Sequence, residues 1–190
     1  MKKEQILQSA KELFEKYGIK KTTMNEIAQN AGVTKKTVYS YFESKADLIN
    51  CFIQQELNYM KSIIEKYLNK DGDFFNNVHA GLYELLTYRK ESFIVNLVAK
   101  ESDSLDIKKV KEALNRIDDQ INSFIKQIII NAEKSGYIEV QNIDVTTFII
   151  YKMYIALMFE WDENYKELKD KEIADNVLHI LRNGLKAKNK

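Results

Sequence analysis

The sequence predicts an all-α protein, with a small N-terminal three-helix unit followed by a larger helical bundle. Three observations lead there. The 190 residues contain no proline and only six glycines, so the strongest helix breakers are missing or sparse. Apolar residues recur at spacings of three and four along most of the chain. No strand-like alternation runs longer than a few residues, and no internal repeat is found. A chain of this length, 45% hydrophobic and 30% charged, has the makeup of a soluble globular protein with a substantial core.

Taken in order, Ile6, Leu7, Ala10, Leu13, Phe14 and Tyr17 give a helix over 3–17, and Gly18 stands where a left-handed cap belongs. Thr23 with Glu26 three residues later reads as a capping box. Met24, Ile27, Ala28 and Ala31 form the stripe of the helix it opens, and Gly32 turns the chain. Thr34 caps a short helix ending near Phe42, with Val38 and Phe42 facing inward. Ser44, with Asp47 as box partner, opens a long helix to residue 68. "NKDGD" ends it. Two medium helices follow, roughly 74–88 and 91–101, and then the polar loop "ESDSLD". The helix 106–134 carries Ile107, Val110, Leu114, Ile117, Ile121, Phe124 and Ile128 in strict heptad spacing. That seam suits either a coiled coil or the core of one bundle. Asp144 is expected to cap a helix over 145–161 that is apolar nearly all round and so needs cover on both sides. A last helix, about 170–186, shows a single stripe through Ile173, Val177, Ile180, Leu181 and Leu185.

Charge is unevenly placed. Residues 1–50 hold nine lysines against six carboxylates, a net +3, and the remainder is −2. The basic head is the part suited to a polyanion. Within it, "TTMNEIAQNAGVTKKTVYSYFESKADLI" (22–49) is two short helices around a tight Ala31-Gly32 corner. Either it is a helical corner with solvated charges, or it is a helix-turn-helix whose second helix enters a DNA major groove. Tyrosine hydroxyls and lysine ammonium groups on that second helix suit phosphate contacts.

Those residues resemble the DNA-binding segment of the TetR family of transcriptional regulators. The similar features are an amphipathic helix ending in "YG", the "TTMNEIAQNAGV" helix, the "TVYSYF" recognition helix, and "SKADL" opening a long fourth helix. The match is close over about residues 3–50; beyond them only the helix pattern is similar. The resemblance implies a DNA-binding domain over 1–46 and a ligand-binding and dimerisation domain over 47–190. It implies that Thr23 touches a phosphate, that Lys35, Lys36 and Thr37 face base edges or nearby phosphates, that Tyr39 and Tyr41 hold the backbone, and that Lys45 pins a phosphate. The family often has glycine where this chain has Lys36. A lysine there either adds a guanine contact or holds the helix away from the groove. The resemblance further implies a homodimer through the last two helices, a palindromic double-stranded DNA operator, and repression relieved by a small apolar or amphipathic ligand. Tyr59, Phe93, Phe124 and Tyr154 are the expected lining of the ligand pocket.

Other function classes find little support. Cys51 is the only cysteine, so no internal disulfide forms and a reducing, cytoplasmic compartment is expected. No segment reads as a signal peptide or membrane span. His79 and His179 show no metal-ligand spacing, and no nucleophile–base or phosphate-loop motif is present, so no enzyme, metal or cofactor is expected. Two competing functions stay open: a protein of the same fold acting through protein partners, as a coactivator or architectural factor, without a small-molecule inducer, and a helical-bundle enzyme whose basic corner is incidental.

Overall fold

Hydroxyl and carboxamide side chains set where most of these helices begin. The computed structural model describes residues 1–101, 107–161 and 168–185. Helices α1 (Lys2–Tyr17), α2 (Met24–Asn30), α3 (Lys35–Tyr41) and α4 (Lys45–Leu68) come first. The Thr23 hydroxyl accepts from the Glu26 N–H at 3.2 Å, and the Glu26 carboxylate accepts the Thr23 N–H at 2.7 Å, completing the capping box. Thr34 and Ser44 cap α3 and α4 by accepting from the N–H groups of Thr37 and Asp47. Only the Ser44 half of its expected box forms. Gly18 and Gly32 take φ of 81° and 65°, left-handed values that a side chain resists.

The body continues with α5 (Phe74–Arg89), α6 (Phe93–Glu101), α7 (Ile107–Lys134), α8 (Ile143–Ile155) and α9 (Asp170–Leu185). Among the described residues there is no strand. The expected Asp144 cap is corrected to Asn142, whose side chain accepts from the Val145 N–H. A capping residue needs an extended backbone, which Asn142 has at φ −149°, whereas Asp144 is already helical and instead pairs with Lys126 at 2.6 Å. α8 runs on into a π-helical turn, Ala156–Glu160. Such a turn disturbs the regular carbonyl ladder. Here the Leu157 carbonyl accepts from buried Arg89, which also faces Asp170 at 3.5 Å.

Two packing regions follow from the stripes. In the head, Ile6, Ala10, Ile27, Val38 and Leu48 are fully buried in one apolar cluster, which Ile94 and Leu97 of α6 join from the body. The expected division at residue 46 falls in the first turn of α4, and the head cluster reaches past it to Ile53. Beyond that point α4 turns its apolar side to the body. Leu57 packs there with Phe75, Ile125 and Tyr151 from α5, α7 and α8, while Leu86 of α5 packs with Ile173 and Val177 of α9. Of the heptad seam, the side chains of Ile107, Val110, Leu114 and Ile117 lie outside the described residues. Ile121, Phe124 and Ile128 face the interior of this one chain.

Candidate functional sites: an exposed helix face and an apolar cavity

The first site grows from α3. Seven residues long, it is fixed on its inner side by Val38, fully buried, and by Phe42 just past its end. With those two inward, the helical period turns Lys35, Lys36, Tyr39, Ser40 and Tyr41 to solvent. Tyr39 is 43% exposed and Tyr41 47%, a large outlay of aromatic surface for so short a helix. The Lys35 ammonium lies 5.8 Å from the centre of the Tyr39 ring, within cation–π range, so the two form a basic–aromatic pair. Thr37 is half-buried, its hydroxyl 2.8 Å from that of Thr34, and Ser40 donates to its carbonyl.

The two outlying residues of the expected set are placed differently. The Thr23 hydroxyl is engaged in the α2 cap, donating to Glu26 at 2.8 Å. That hydroxyl, and then the Thr23 N–H, hold the Glu26 carboxyl below the usual carboxylate range. Lys45 turns inward: its ammonium donates to the carbonyls of Ile19 at 2.7 Å, Thr22 at 2.8 Å and, at 3.5 Å, Lys20. An ammonium has three N–H donors, and these carbonyls occupy them. Lys45 therefore ties the first turn of α4 to the loop between α1 and α2.

The second site is an apolar cavity of about 180 Å³ enclosed by α4, α5, α7, α8 and α9. Leu57, Met60 and Ile64 form its α4 wall, Leu85 its α5 wall, and Ile125 and Ile129 its α7 wall. Gly81 lets α5 approach closely, since a Cβ there would stand 3.1 Å from Ile64 Cδ1. Of the four residues expected to line a pocket, Phe124 and Tyr154 do so. The Tyr154 hydroxyl donates to Met60 Sδ at 3.3 Å, and burial pushes the phenol well above its usual pKa. Tyr59 and Phe93 lie elsewhere. Tyr59 is 49% exposed and packs its ring on Tyr88, while Phe93 sits edge-on to Phe52 beside the head cluster.

Lys61 also lines the cavity, and the sequence carried a signal for it. Leu57, Lys61, Ile64 and Leu68 follow one another at steps of four, three and four, so Lys61 is a charge set into an apolar row. Elsewhere, His79 pairs with Asp175 at 2.7 Å. Among the described residues no group of three His, Cys, Asp or Glu is placed to hold a metal ion, and no helix is long and apolar enough to cross a membrane. Several apolar side chains of α8 and α9 face solvent: Val145, Phe148 and Ile149 on α8, and Ile180, 63% exposed, on α9. Ile180 thus departs from the buried stripe expected of the last helix, which Ile173 and Val177 keep.

Comparison with known proteins bears on both sites. Residues 6–50 match the family model for bacterial regulatory proteins of the tetR family. The chain is 31% identical over 179 residues to the uncharacterized HTH-type transcriptional regulator YhgD of Bacillus subtilis, covering 94% of this chain and 93% of that one. It is 24% identical to the probable acrEF/envCD operon repressor of Escherichia coli K12, over 87% and 90% of the two chains. Among solved structures, the Thermus thermophilus repressor FadR in complex with lauroyl-CoA shares the fold with a TM-score of 0.67 at 18% identity, over 98% and 96% of the chains.

Proposed function

The chain belongs to the tetR family of bacterial transcriptional regulators, and from that premise we propose that it is a homodimeric repressor released from its operator by a small ligand. The observation that carries this reading is the pairing of a tightly packed head, which holds basic and aromatic side chains outward on α3, with a body that contains an apolar cavity. Lys35, Lys36 and Thr37 meet base edges or nearby phosphates, and Tyr39 and Tyr41 hold the backbone. Thr23 reaches a phosphate at the start of α2. Lys45, already bonded to three carbonyls, supports that contact by fixing the loop behind it. The dimer forms through α8 and α9, where Phe148 and Ile149 leave apolar surface uncovered in the single chain. A two-fold dimer reads a palindromic operator with half-sites about one helical turn (~34 Å) or a multiple apart. The protein works in the cytoplasm, and its chemistry is binding rather than catalysis.

Ligand enters among α4, α5, α7 and α8, with Phe124 and Tyr154 in contact. It shifts α4, whose first turns belong to the head, and so changes the separation of the two α3 helices. It does this by binding the released state more tightly than the bound one. Two observations on relatives support the reading. The E. coli relative is described as a probable operon repressor, and the structurally similar FadR holds lauroyl-CoA. The cavity also favours a sensor over a coactivator of the same fold, for which a fully packed body would suffice.

The test is selection of genomic fragments by the purified protein at two salt concentrations, followed by sequencing of the bound pool. An enriched palindrome with steeply salt-dependent affinity is expected. Uniform weak binding without a motif would refute sequence-specific repression.

A further inference from the structure

Among the described residues Lys61 is the one basic side chain in the cavity wall, and it forms no hydrogen bond or ion pair there. Its partner among the described residues is a ring: the ammonium lies 5.5 Å from the centre of Phe124, itself part of the wall. Lys61, Phe124 and Ile128 are each half-buried, so solvent reaches the wall along this edge, between α4 and α7. The deeper wall is hydrocarbon: Leu57, Leu85, Ile125 and Ile129. An ammonium without an acidic partner at the mouth of an apolar chamber is suited to an anion whose remaining atoms are apolar.

Resting on the sensor reading above, we infer that the cavity takes an amphipathic anion, a short-to-medium hydrocarbon chain with a carboxylate or similar acidic head. The tail lies among Leu57, Leu85, Ile125 and Ile129, and the head sits on the Lys61 ammonium at the rim. The space agrees with this size class. At about 180 Å³ it is somewhat larger than an apolar cavity of about 150 Å³ that stays dry and accepts benzene. A bulky drug-sized ligand needs a chamber of roughly 300 Å³ or more. A competing charge that acts on a residue of the wall, Tyr154, is that of Glu56. After burial itself, its negative charge helps hold the Tyr88 and Tyr154 phenols above their usual pKa, and it is not part of the wall. A carboxylate outside the wall offers a cationic head no contact there, whereas Lys61 stands in the wall itself.

Three probes with the same tail separate the possibilities: octanoate, octanol and octyltrimethylammonium, titrated calorimetrically into the purified full-length protein. Octanoate is expected to bind on the order of tenfold more tightly than octanol, with the ammonium weakest. Lys61→Gln should erase the difference by weakening octanoate alone, and Lys61→Arg should keep it. Circular dichroism confirms that each variant is folded. Equal affinity for octanoate and octanol, or a preference for the ammonium, would overturn the acidic head and leave the ligand sensor standing. If none of the three binds at millimolar concentration, the acidic head and the cavity sensor fall together.

Discussion

The head and the body of this chain are built to opposite specifications. In the head, five apolar side chains of α1 to α4 have no exposed surface, and even the buried polar groups are matched: Ser9 donates to the Ile27 carbonyl and Thr22 to the Gly18 carbonyl. In the body, the walls are as apolar but do not close, and a cavity of about 180 Å³ remains. Among the described residues of the body, Glu56 Oε1 is buried without a hydrogen bond. A surface that must fit a fixed partner such as DNA needs a frame with one conformation. A compartment that responds to a ligand needs room for it. Tight packing and incomplete packing are two answers to two tasks along the same α4 helix.

Truncation probes that contrast most strongly. Ile27→Ala should cost about 2–5 kcal/mol, because nothing can collapse into the space it leaves in the head. Ile128→Ala, at the half-exposed rim of the cavity, should cost distinctly less in the same urea titration. Equal losses would mean that the two regions are equally well packed.

Enlargement sharpens it from the other side. Ala10→Leu forces extra volume into a fully buried site and should destabilise by roughly 1–3 kcal/mol. Ala132→Leu adds the same atoms to the cavity wall, so stability should hold or rise while octanoate binding disappears. A destabilised Ala132→Leu would indicate that the cavity is not available space.

Smaller effects follow from the head's surface. Lys35→Ala with Lys36→Ala should leave unfolding unchanged within about 0.5 kcal/mol. The same pair should flatten the salt dependence of operator binding by about 1.8 in log–log slope, if each lysine neutralises one phosphate. Thr23→Ala should cost about 1 kcal/mol through the lost cap. It should also change the acid limb of the unfolding curve. Glu26 has its carboxyl pKa lowered in the fold, so the stability it lends is complete above the ordinary value of 4.5 and is lost as pH falls through the depressed value. The wild-type head should therefore weaken over that acid range, and the variant should weaken less.

Much of the head could be read from its residues, because the signals there are local. Thr23, Thr34 and Ser44 each cap the helix that follows, since a hydroxyl before an amphipathic run has one obvious task. The cap of α8 was harder. Asn142 and Asp144 both qualify by type, and only the backbone angle decides. The place of Lys45 is harder to read for another reason: its partners, the carbonyls of Ile19 and Thr22, are more than twenty residues away. The cavity was half legible. Periodicity turned Phe124 and Tyr154 the right way, but direction says nothing about what stands opposite. Tyr59 met Tyr88 near the surface, and Phe93 was drawn to Phe52. Lys61 was visible in the row Leu57–Lys61–Ile64–Leu68 as a break in apolar character. A chain of helices does not announce which interruptions face a void.

The length of α4 gives the molecule a mechanical advantage. Lys61 at the cavity and Leu48 in the head core are thirteen residues apart on one helix, about 20 Å at 1.5 Å per residue. A tilt of about 5° pivoting at Lys61 moves Leu48 by roughly 1.7 Å along that arm. Lys45 carries the motion into the loop before α2 through its carbonyl bonds. In the proposed two-fold dimer the partners would swing in opposite senses, and the spacing between the reading heads would change by about 3.4 Å, the rise of a single base-pair step. Such a displacement would put the two α3 helices one step out of register with the half-sites of the proposed operator.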